Sequence, residues 1–85
     1  MNEKMPFADE CIIHFALRYA LPRRSTASSI VADYIKDYMS RIDDRALQHM
    51  EFEIKTAIEL GQAGDPIDVS IWTALAQDIN KHLKK

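Results

Sequence analysis

An 85-residue chain is long enough for one modest core, and its 47% apolar and 28% charged residues argue against wholesale disorder. Eleven basic against 13 acidic residues give a net charge of −2, which argues against a protein built to grip duplex DNA and equally against a mimic of DNA charge. One cysteine excludes an internal disulfide and a multi-cysteine zinc site, and two glycines with three prolines are too few for the many turns of an all-β domain.

The expected architecture is all-α, a compact bundle of about four helices formed by residues 1–85 as a single domain. The first helix is predicted from Phe7 to Leu21. Ala8, Cys11, Ile12, Phe15, Ala16 and Tyr19 recur at helical spacing as its apolar face, widened by Ile13, Leu17 and Ala20. So much apolar surface predicts the most buried helix of the bundle, with Glu10, His14 and Arg18 as a narrow polar stripe. Pro22 stops it, because proline disfavours an α conformation in the residue before it.

The second helix is predicted to start at a cap on Ser25 or Thr26 and to run to Ile42. Ile30, Val31, Tyr34, Ile35, Tyr38, Met39 and Ile42 form its apolar stripe, with one of its aromatic residues expected to reach the surface. A third helix follows a cap at Asp43 or Asp44. Leu47, Met50, Ile54, Ala57 and Ile58 form its seam, and Gly61 or Gly64 ends it. The turn "GDPID" leads to the last helix, capped by Asp68 or Ser70 and carrying Val69, Trp72, Leu75, Ala76, Ile79 and Leu83.

Two places stand out as candidate sites. The first is the corner between the first two helices. Arg18, Tyr19, Arg23 and Arg24 gather there with no acid between Cys11 and Ala32, and Ser25 and Thr26 offer hydroxyls at a helix start. Free N–H groups and a partial positive charge at a helix N-terminus suit an anion, arginine forks suit phosphate oxygens, and a tyrosine ring can stack on a base. An anionic small molecule or nucleotide fits that chemistry. The alternative is ordinary capping, with the arginines paired to Asp9, Glu10 or acids of another helix. The second place is Phe52, off the seam of the third helix, which with Glu51, Glu53 and Glu59 forms an expected partner-binding face.

Catalytic and metal motifs are not expected. Cys11 and His14 stand three apart, but a metal would need His49 or His82 as well, with no supporting motif; Cys11 reads as a small core residue. Nothing matches a nucleophile elbow, a P-loop or a zinc-protease signature, so no catalytic residue, metal or cofactor is assigned. A helix–turn–helix reading, as a nucleic-acid-binding regulator, places Glu51, Glu53 and Glu59 where phosphates would lie. No apolar run approaches the roughly 20 residues that span a bilayer, and "MNEKMPFADE" lacks the pattern of a signal peptide. The expectation is a cytoplasmic protein without a membrane partner, forming a homo-oligomer.

The segment "ALRYALPRRSTASSIVADYI" resembles a motif of small helical bacteriophage and prophage proteins, Ala-Leu-Arg-Tyr-Ala-Leu-Gly-Arg followed by Arg-Ser/Thr and an amphipathic helix. The resemblance covers Cys11 to Ile42, and Trp72 in the last helix fits the same outline. Pro22 stands where the motif has glycine, which stiffens the loop. The resemblance implies a phage setting and a non-enzymatic, stoichiometric counter-defence role: holding a nucleotide signal, or blocking a host defence protein in the manner of an anti-CRISPR protein.

Overall fold

A computed structural model describes residues 3–23 and 27–84. Four helices follow one another: α1 (Phe7–Ala20), α2 (Ala27–Tyr38), α3 (Asp44–Glu59) and α4 (Pro66–Leu83), with a 3₁₀ turn, Met39–Arg41, closing α2. No strand occurs among the described residues, so the all-α bundle expected from the sequence is what forms. None of these helices is long and apolar enough to cross a membrane.

Each helix packs on two neighbours: α1 on α2 and α3, and α4 on α2 and α3. α1 and α4 are therefore diagonal across the bundle. The core between them is built from Leu17, Ile35, Ile42, Leu47, Met50, Ile54, Trp72, Leu75 and Ile79, all fully buried. α1 and α2 run antiparallel, and the backbone N–H of Met5 reaches the carbonyl of Arg41 at 2.9 Å to tie their open end.

Local chemistry explains the helix ends. The Asp43 carboxylate accepts the N–H of Arg45 at 3.0 Å and caps α3. Gly61, at φ 71°, ends it: its N–H bonds the carbonyl of Ile58, and the N–H of Gln62 bonds that of Ala57, a Schellman arrangement that needs the left-handed residue glycine supplies. α4 starts earlier than the sequence suggested. Asp65, not Asp68 or Ser70, is its cap, Pro66 fills the first turn, and Asp68 returns a hydrogen bond to the Asp65 N–H at 3.1 Å to complete a capping box. Asp68 is also buried, and it accepts the hydroxyl of the fully buried Ser28, joining the start of α4 to the start of α2. Gly64, at φ 83°, lies against it; a Cβ there would stand 2.7 Å from the Asp68 Cβ.

α1 is the main correction. It is not the most buried helix, and the stripe from Ala8 to Tyr19 is not its core face. Its buried residues are Glu10, Ile13, Leu17 and Ala20. The helix is apolar nearly all round, so spacing alone does not choose which face turns inward; its polar contacts do. The Glu10 carboxylate accepts the N–H of Asp43 at 2.9 Å, at the positive end of α3. His14 Nε2 meets Glu53 Oε2 at 2.5 Å, and the Arg18 guanidinium meets Glu53 Oε1 at 2.7 Å. The Glu10, His14 and Arg18 stripe is thus a polar seam along α3, and it rotates Ile13, Leu17 and Ala20 into the core. Cys11, expected in the core, is exposed.

Candidate functional site

The arginine corner is more occupied than its sequence implies. Arg18 is opposed by Glu53, 35 residues further along the chain. Partial burial pushes the Glu53 carboxyl up, but the hydrogen bonds and charges of Arg18 and His14 outweigh it and hold the group below its ordinary value; Arg18 is raised in turn, by its hydrogen bond to Glu53 and then by that charge. Arg23 folds back over the Tyr19 ring, its guanidinium carbon 3.7 Å from the ring centroid, and donates to the Tyr19 carbonyl. Arg24, Ser25 and Thr26 lie outside the described residues, so the expected cap and the third arginine are not placed.

The four residues expected to form a partner face are not on one face either. Phe52 points to solvent beside Leu60 and Pro22, while Glu51 turns toward the α4 side, 3.4 Å from Lys55. Glu53 is held by His14 and Arg18, and Glu59 is exposed at the end of α3.

The structure instead brings together an apolar face whose helical spacing alone places it in the interior. Ile12 is 67% exposed, Phe15 72% and Tyr19 55% on α1, with Ile30 65% and Tyr34 49% on the adjoining α2. Ile12 and Ala16 form one wall of a groove of about 530 Å³, Ile30, Val31, Tyr34 and Tyr38 form the other, and Met5 and Ile13 form its floor. Asp9 and Arg41 stand at its open end. The Tyr34 and Tyr38 rings lie 4.6 Å apart between centroids and stiffen the α2 wall. Tyr34 is the aromatic residue of this helix that surfaces, as the sequence allowed. The signal for the face was present in α1: one helix carried more large apolar residues than the single stripe a bundle can cover.

This arrangement suits the non-covalent burial of another surface. The groove is apolar with charge only at one end, and the large side chains along it are held by helices rather than loops. Among the described residues no group of three or more histidine, cysteine or acidic side chains is placed to share a metal ion. No protein-family model, curated protein or solved structure matches the chain.

Proposed function

We propose that this protein is a non-catalytic protein-binding module whose working surface is the apolar face of α1 and α2. The observation that carries the reading is the co-exposure of Ile12, Phe15, Tyr19, Ile30 and Tyr34 on the adjoining helices α1 and α2, with Ile12, Ile30 and Tyr34 lining one groove. Those five side chains leave about 600 Å² of surface in water, at the upper end of the largest apolar patch of an ordinary monomer. Such a patch marks a surface that is covered in use. In the phage setting that the resemblance implies, such a module acts stoichiometrically, by covering a protein surface rather than by turning over a substrate.

Site-specific photo-crosslinking tests it. A photoreactive phenylalanine analogue replacing Phe15 should give a protein adduct in cells, and the same group replacing Gln77, exposed on α4, should not. Absence of any adduct from position 15 sinks the reading.

A second reading, an anion site at the helix corner, rests on Arg23, which meets no carboxylate among the described residues. There a nucleotide should raise the melting temperature of the wild type and not of Arg24→Glu; no shift with mono-, di- or cyclic nucleotides removes it.

A further inference from the structure

We propose that the partner covering this face is a second copy of the chain, bound through antiparallel pairing of α1 with α1; this rests on the protein-binding reading above and names its occupant. Ala8, Ile12, Phe15 and Tyr19 stand four, three and four residues apart, the spacing of a coiled-coil seam, and all four are exposed. A bundle helix has one seam toward its own core, and in α1 that role belongs to Ile13, Leu17 and Ala20. The Ala8 to Tyr19 seam is therefore a second one, unfilled within the chain.

The seam is its own complement, which is what a twofold interface requires. With the axis midway between Ile13 and His14, Ala8 of one copy lies opposite Tyr19 of the other, and Ile12 lies opposite Phe15. The smallest residue meets the longest, and no charged side chain is on the line. The groove beside α1 continues the contact: Ile30 and Tyr34 flank it, so the pairing buries apolar surface from α2 as well. The large side chains expose about 600 Å², and with Ala8, Cys11 and Ala16 between them the face approaches the roughly 800 Å² per partner of a stable interface. Arg23 leaves the pairing room, since its guanidinium covers one face of the Tyr19 ring while the residue stays more than half exposed.

Sedimentation and directed cross-linking test it. The wild type should sediment at twice its 9.8 kDa chain mass, and Phe15→Asp should sediment at the single mass with unchanged helical circular dichroism. In a Cys11→Ser background, chains carrying Ala8→Cys should form disulfides with chains carrying Tyr19→Cys when the two are mixed. Neither should cross-link with itself, because Ala8 lies 11 residues from the facing Ala8, about 16 Å along the helices. A wild type that stays monomeric into the millimolar range overturns the dimer, and a dimer untouched by Phe15→Asp overturns the surface. Self-cross-linking of Ala8→Cys overturns the antiparallel pairing. A monomer whose Phe15 position still cross-links to a different protein ends the self-pairing and leaves the binding module standing; a monomer with no adduct ends both.

Discussion

α1 and α4 face each other across the bundle and are made of similar material, yet they use it differently. α4 turns Trp72, Leu75, Ala76 and Ile79 into the core and leaves one large apolar residue, Ile67, in water at its first turn. α1 buries Ile13, Leu17 and Ala20 and leaves Phe7, Ile12, Phe15 and Tyr19 outside. A helix needs one apolar stripe to hold its place in a bundle. α4 has one and α1 has two, so the surplus on α1 contributes to something other than the stability of this chain.

The largest effect that separates the two helices is truncation of their biggest side chains. Trp72→Ala empties a fully buried site and should cost about 3–5 kcal/mol, while Phe15→Ala should change stability by no more than about 0.5 kcal/mol in dilute solution, where association adds nothing. Urea denaturation of both variants measures the contrast. A loss at Phe15 comparable with that at Trp72 would mean that the outer face of α1 belongs to the core, and the comparison would break.

The Ser28–Asp68 bond sharpens the same contrast from the other side, because it anchors α4 by a hydrogen bond between two buried side chains, whereas the Glu10 contact of α1 goes to a backbone N–H and is only partly buried. Ser28→Ala should cost about 1–3 kcal/mol, the range for removing one partner of a buried hydrogen bond. A neutral Ser28→Ala would show that apolar packing alone holds the start of α4.

The two helices also differed in how far their sequences disclosed them. In α4 the turn "GDPID" and a single stripe from Val69 to Leu83 led to the right inward face, and only the cap was misplaced, since Asp65 and Asp68 both suit that role and share it in the capping box. The α3 cap and end were each legible as one of two residues, Asp43 or Asp44 and Gly61 or Gly64, because both depend on residues a few positions apart; the fold selects Asp43 and Gly61. α1 offered two stripes of similar strength. The choice between them is made by Asp43 and Glu53, which lie more than 30 residues away and meet Glu10, His14 and Arg18 only in the folded chain. The same long-range contact removes Arg18 from the unopposed cluster that marked the corner as a site. The apolar face was hidden by the same ambiguity, because its residues were counted as core.

Glu53 therefore carries the orientation of α1, and its titration provides the smallest and most specific of these tests. Its carboxyl is held below the ordinary value by Arg18 and His14 against the opposing pull of burial. A carboxylate whose folded pKa lies below its unfolded value of about 4.3 stabilises the fold fully above that value, and the contribution disappears as pH falls through the lower folded pKa. The melting-temperature gap between wild type and Glu53→Gln should thus be largest above about pH 5 and should close as the solution is acidified beyond the usual carboxylate range. Arg18 is exposed, so the gap is expected to be modest and to shrink in high salt. A gap of the same size at both ends of that pH window would mean that Glu53 acts through packing rather than charge. The rotation of α1 that leaves Phe15 and Ile12 in water would then rest on the Glu10–Asp43 hydrogen bond and on the apolar contacts of Ile13 and Leu17.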